Sequence, residues 1–230
     1  MAFEQDVAEL VTASDNLTGM INTQLNGINT RLAQAEGLAN SFAANVERNK
    51  PIYRLSKNQI LEGTTGSVPD FWLSGSGVTY TLVQKVEHQK EWADRTAEER
   101  ELLTAMGREG LRYLHMEFNI WRMDWVPTDV TFTLYQRGYS SGPVTIAGMT
   151  KLLSGSTDGF WAAGATNEWK LTGQTYMPEP YGYIHTHPVK EKDSSGSMLF
   201  ALPALIAGIM PLDDARTWWT FPYLGDEQSN

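Results

Sequence analysis

Residues 7–46 read VAELVTASDNLTGMINTQLNGINTRLAQAEGLANSFAANV, and the spacing of their apolar side chains decides how the chain is built. Apolar or small residues fall at Val7, Leu10, Ser14, Leu17 and Ile21, then at Leu25, Ile28, Leu32, Ala35, Ala39, Phe42 and Val46. Both runs alternate steps of three and four, the seam of a coiled coil. Leu17 to Ile21 to Leu25 are two successive steps of four, an irregularity that locally unwinds a left-handed supercoil. The apolar stripe is narrow and its surroundings are polar. The pattern therefore predicts one long helix whose seam is buried by other copies of itself; the competing reading is an amphipathic helix lying on the chain's own globular part. Gly19, Gly27 and Gly37, with Asn16, Asn22, Asn26 and Asn29, make the stretch a poor helix by propensity, so assembly is expected to hold it. Isoleucines at 21 and 28 among leucines suit two or three strands, and polar Gln24 and Arg31 sit beside the seam where they would help fix register.

Outward from this stretch, Glu47-Arg48-Asn49-Lys50-Pro51 ends the helix, because proline disfavours α geometry before it and lacks the donor to continue. The expected organisation is a stalk over 1–50, a connector over 51–67 containing the Gly63-Thr64-Thr65-Gly66-Ser67 turn cluster, a β domain over 68–225 and a polar tail over 226–230. Phe71 to Leu73 and Val78 to Val86 read as strands around Ser74-Gly75-Ser76-Gly77. Thr96-Ala97-Glu98-Glu99 has capping-box spacing and predicts a helix over about 96–113, with Gly107 and Gly110 weakening its second half. From Met116 to Trp125 apolar residues alternate, with a change of phase between Ile120 and Trp121 that requires both faces to be covered or a bulge. Val130 to Tyr135 is expected to pair with that strand as a hairpin. Phe160-Trp161, Trp169 to Leu171, Tyr181 to Val189, Leu199 to Leu205 and Thr217 to Phe221 read as further strands, with Pro203 suited to an edge or a strand end. Many short strands, frequent turns and one helix predict a mainly-β antiparallel sandwich, jelly-roll-like.

Composition narrows the function. The chain has 230 residues, 41% of them hydrophobic, enough for a sizeable core beyond the stalk. A formal charge of −9 with no basic cluster argues against nucleic acid. No cysteine means no disulfide, thiolate catalysis or zinc-finger site. The N-terminal residues do not form a secretory signal, and the longest apolar run, Met198 to Met210, is too short for a bilayer span and holds Pro203 and Gly208, so a soluble protein without membrane insertion is expected.

Candidate chemistry is sparse. In Tyr183-Ile184-His185-Thr186-His187-Pro188, His185 and His187 would share one face of a strand at a spacing suited to a metal. The run is similar to part of the JAMM metalloprotease motif; Ser195 meets the serine position, but Met198 stands where the aspartate ligand belongs, which would leave zinc one ligand short. His88 and His115 are isolated. No phosphate-binding glycine loop and no nucleophile elbow occurs, and Glu98-Glu99 and Asp213-Asp214 are accounted for by capping and solvation. No catalytic residue is therefore assigned. Of the eight tryptophans most are expected in the core or at subunit contacts, while Trp161 and Trp169, beside loops, are candidates for stacking on a sugar.

An N-terminal coiled coil rich in Asn, Gly and Ala, as in Val7 to Ser14 and Gln24 to Leu32, followed by a tryptophan-rich, cysteine-free β domain, resembles bacteriophage tail-fibre and virion-appendage proteins. The resemblance implies a homotrimer in the virion, with other virion proteins and a host-surface glycan as partners. Trimeric phage fibres use His-x-His, so it also implies that three copies of His185 and His187 would offer six imidazoles on a threefold axis, a nitrogen set for iron. The alternative is a stalk-borne carbohydrate-active or metal-dependent hydrolase.

Overall fold

The structure is a computed structural model and describes residues 2–49, 52–126, 134–140, 142–157, 159–177, 183–184 and 195–223. The chain forms two compact units, Met1–Pro51 and Ile52–Asn230. The first is a single helix, α1 (Ala2–Asn49), 48 residues long and so about 72 Å from end to end. Thr12, Thr18, Thr23 and Thr30 each donate their hydroxyl to the carbonyl four residues back at 2.9 Å. That contact satisfies the hydroxyl inside the helix, at the cost of sharing a carbonyl with the backbone N–H that it also accepts.

The second unit is mainly β. Its strands are β1 (Val78–Val86), β2 (Phe118–Trp125), β3 (Gly138–Tyr139), β4 (Val144–Ser154), β5 (Lys170–Tyr176), β6 (Tyr183–Ile184) and β7 (Gly196–Ala207). Five of them make one antiparallel sheet in the order β1-β2-β7-β4-β5, and β3 pairs with β6. Among the described residues, the sheet is covered by helical and irregular segments rather than by a second large sheet. One face packs on α2 (Ala97–Ala105) and on the segment from Met210 to Trp218; the other packs on Leu61, Trp72 and the 3-10 turn Phe160–Ala162.

The change of phase at Ile120 and Trp121 follows from this two-sided cover. Phe118 and Ile120 lie in the cluster beneath α2, whereas Trp121, Met123 and Trp125 lie in the opposite cluster. The strand alternates regularly throughout, and its two ends are buried on different faces. The register slip falls in the neighbouring strand, at Val83 between Leu82 and Gln84.

Pro203 is not at an edge. β7 is the central strand, buried from Ser197 to Ile206. A bulge accommodates the proline: Ala204 pairs with Ala147 and Ala201 with Met149, so Leu202 and Pro203 together oppose Gly148. Leu202 has φ +52°, and a Cβ on Gly148 would lie 3.1 Å from the Pro203 Cα. The bulge inverts the strand. Met198 and Phe200 face one cluster before it, and Ala204 and Ile206 face the other after it.

The segment expected to be a connector is part of this unit. Tyr53 to Leu55 run beside the end of β7, with Leu55 N–H donating to Leu205 O at 2.7 Å and Ala207 N–H to Tyr53 O at 3.1 Å. Arg54, Ser56, Asn58, Gln59 and Leu61 are all buried. Gln59 donates to Trp219 O at 2.7 Å and accepts from Phe221 N–H at 3.0 Å, which ties this segment to the C-terminal one. Arg54, Ser56 and Gln59 bond to groups more than a hundred residues away, at Phe221, Leu205 and Trp219, which no local reading of the segment could show.

Tryptophans hold the strained turns of the core. Asn58, Leu61 and Leu202 have φ of +48°, +61° and +52°, a region costly for residues with a Cβ. Their carbonyls accept indole N–H bonds from Trp72, Trp121 and Trp218 at 3.2, 2.8 and 2.9 Å. Six of the eight tryptophans are buried.

Other expected elements differ. Phe71 to Leu73 contributes only a bridge from Leu73 to Tyr135, and Phe160-Trp161 and Ala215–Thr217 form 3-10 turns in place of strands. α2 begins at the expected capping box, with Glu99 N–H donating to the Thr96 hydroxyl and Thr96 N–H to the Glu99 carboxylate. It stops at Ala105 rather than near 113. Gly107, at φ +65°, donates to Thr104 O at 2.9 Å and Arg108 N–H to Leu103 O at 2.7 Å, a Schellman motif that only a left-handed residue closes easily. The expected hairpin partner at 130–133 lies outside the described residues.

Candidate functional site

The seam of α1 is the first candidate. Val7, Leu10, Leu17, Ile21, Leu25, Ile28 and Leu32 are between 44% and 71% exposed, and Ala35 is exposed as well. The helix thus presents a row of exposed aliphatic side chains over residues 7–32, interrupted at Ser14. The side chains of Phe42 and Val46 lie outside the described residues. Such a surface can bind an equally apolar, equally periodic one. No helix among the described residues is long and apolar enough to cross a membrane.

Neither candidate stacking platform offers a free ring. Trp161 is completely buried, sits 5.5 Å from Phe200 and donates to Leu134 O at 3.5 Å. Trp169 is 5% exposed, and its indole N–H is taken by the Glu98 carboxylate at the base of α2. Both correct the expectation of sugar stacking: their neighbouring glycines and asparagine belong to turns that fold each ring inward. Glu98 also receives Lys151 Nζ at 3.1 Å, and Glu101 receives it at 2.6 Å. Burial pulls the Lys151 pKa down, but the hydrogen bonds to Glu101 and Glu98 outweigh it and leave the pKa raised.

His185 and His187 lie outside the described residues. Met198, at the position where the JAMM motif has its aspartate, is a fully buried core residue. Among the described residues, no group of three or more His, Asp or Glu side chains could hold a metal.

The clefts of the second unit are lined by residues that sequence reasoning passed over. A cleft of about 570 Å³ lies between the 54–62 segment and Phe221, with Phe71 and His115 on its walls. His115 also borders a smaller cleft of about 330 Å³ between the end of α2 and the Ala215–Thr217 turn. The Schellman motif sets Arg108 on the wall of this smaller cleft, its guanidinium carbon 4.8 Å from the centre of the Trp219 ring. Gly107 carried the available signal, as a glycine followed by a basic residue at a helix end. Nothing in sequence showed that Trp219 would lie under that arginine.

No protein-family model matches the chain, and no curated protein matches it.

Proposed function

We propose that the chain is a structural virion protein, a homotrimeric bacteriophage tail fibre or appendage that assembles through an N-terminal coiled coil and presents its β domain for host attachment or for docking other fibre proteins. The uncovered aliphatic row on α1 carries this reading. Burying a leucine, isoleucine or valine side chain stabilises by about 1.5–3 kcal/mol, so seven half-exposed ones per chain represent on the order of 10 kcal/mol available to association. A lone helix with this many glycines and asparagines has no comparable source of stability. Three strands rather than two follow from the resemblance to phage fibres.

Sedimentation equilibrium of the full chain, and of residues 52–230 alone, tests the proposal. The expected result is three times the 25.7 kDa chain mass for the full chain and a folded monomer for the shortened one. A full chain that sediments as a monomer at micromolar concentration overturns it. Leu25→Ala with Ile28→Ala should dissociate the trimer while the near-ultraviolet spectrum of the tryptophan-rich domain stays unchanged.

A further inference from the structure

Among the described residues, Arg108 is an arginine of its cleft without a counter-charge. Arg216, on the same cleft, is held by Asp214 at 2.8 Å, and Arg112, whose guanidinium lies 5.2 Å from the Tyr113 ring centre, is held by Glu91 at 2.8 Å. The Arg108 side chain makes no ion pair or hydrogen bond among the described residues, and its guanidinium lies over the face of Trp219. Its Nε is shut from solvent without a partner, and so is the Trp219 indole nitrogen. The terminal guanidinium nitrogens of Arg108 are not shut from solvent, and the residue lines the cleft.

Burying two N–H donors without acceptors costs free energy, and native folds rarely tolerate it without a reason. A guanidinium stacked on an indole has its plane fixed, so the fork is pre-organised for a planar anion. In a chain of net charge −9, a single un-neutralised arginine contributes little to long-range steering; it acts at contact distance. One free cation matches one negative charge, which favours a carboxylate over a doubly charged phosphate. The remaining wall mixes apolar and polar groups: Tyr113, 59% exposed, lies beside Leu111, Leu114 and Trp219, and His115 and Thr217 supply hydrogen-bonding groups suited to sugar hydroxyls. About 330 Å³ accommodates a single pyranose ring with substituents.

We infer that this cleft binds the carboxylate of an acidic monosaccharide unit, a uronic or nonulosonic acid, with Arg108 pairing the carboxylate and Tyr113 and Trp219 bordering the ring. This rests on the reading of the β domain as a host-surface attachment module and names the ligand class for it.

Isothermal titration of the full-length protein with glucuronate, N-acetylneuraminate, glucose and inorganic phosphate tests the inference. One or both acidic sugars should bind, and glucose should bind at least about tenfold more weakly, the loss expected for one charge-assisted pair. Arg108→Gln should lower acidic-sugar affinity by a similar factor, and Arg108→Lys, which keeps the charge but not the fork, should restore only part of it. Matching thermal melts of both variants would show that the fold is intact. Equal binding of glucose, equal binding of phosphate, undiminished binding by Arg108→Gln in a folded protein, or no binding of either acidic sugar would each overturn the inference. Sedimentation of the same sample separates it from the assembly proposal: a trimer that binds no acidic sugar removes this site alone, and a monomer that binds one removes the coiled-coil reading alone.

Discussion

Glu99→Ala should be among the most damaging substitutions in the second unit, although the residue is a charged one near a helix start. The Glu99 side chain is wholly buried. Its carboxylate accepts from Thr96 N–H at 2.8 Å, from Lys90 Nζ at 3.0 Å and from Arg95 at 3.4 Å. Arg95 is buried as well, and it spends its other terminal nitrogen on Glu87 O and Arg112 O at 3.1 and 3.3 Å. Removing the carboxylate leaves the Arg95 guanidinium in the core without a counter-charge, which costs about 3–5 kcal/mol. Half of the capping box is lost too, although the Thr96 hydroxyl still caps the helix. Against a typical stability of about 5–15 kcal/mol this is a large fraction, and it corresponds to a fall in Tm of roughly 10 °C or more for a domain of this size. Urea unfolding followed by tryptophan fluorescence, at fixed protein concentration, measures it. Glu99→Gln, which keeps an acceptor without the charge, should fall between wild type and Glu99→Ala. Replacing Arg95 by Met and Glu99 by Leu together should cost less than Glu99→Ala alone, because no buried charge is then stranded. A loss below about 1 kcal/mol for Glu99→Ala would refute the reasoning, since that is the value of a solvated surface pair.

Three further outcomes follow from the packing. Tyr80 is buried, its hydroxyl donating to Ser74 Oγ at 2.8 Å and accepting from Leu134 N–H at 3.1 Å, and burial raises its pKa above the usual tyrosine value. The folded state therefore holds this proton more tightly than the unfolded one, so the contribution is complete below pH of about 10 and is lost as pH rises beyond it; Tyr80→Phe should cost roughly 1–2 kcal/mol at neutral pH and flatten the alkaline decline in a pH series of urea melts. Gly196→Ala places a Cβ 2.1 Å from the Trp125 ring and 2.7 Å from Ser154 O, and should destabilise by about 1–3 kcal/mol or prevent folding, read by thermal melting. Trp218→Phe leaves Leu202 O without its indole donor, and should cost about 1–3 kcal/mol beyond the lost packing, with faster amide exchange at the Leu202-Pro203 bulge by hydrogen-exchange mass spectrometry.

Local signals were readable without the structure. The three-and-four spacing from Val7 places a long helix, Thr96 and Glu99 place the start of α2, and the alternation of Val78 to Val86 and Met116 to Trp125 places two strands of the sheet. In each case the determinant lies within a few residues of its effect, as a period or a cap. The end of α2 was half legible: Gly107 was visible as a weak point, but the bonds that close the motif there are geometric.

Distant partners decided the rest. Residues 51–67 look like a connector because of the Gly63 to Ser67 turn cluster, and only the fold brings Arg54, Asn58 and Gln59 the carbonyls and amides that compensate their burial. Pro203 sits in the central strand because Gly148 on a neighbouring strand leaves room for a bulge. Trp161 and Trp169 look like loop aromatics and are core residues, whereas Arg108 and Trp219 look unremarkable and meet at a cleft. The sequence by itself determined that one long helix carries an aliphatic seam and that a tryptophan-rich β unit follows it, since both are written in period and composition. Tertiary structure alone decided which face each strand buries and which side chains line the clefts, because those depend on contacts between residues far apart in the chain.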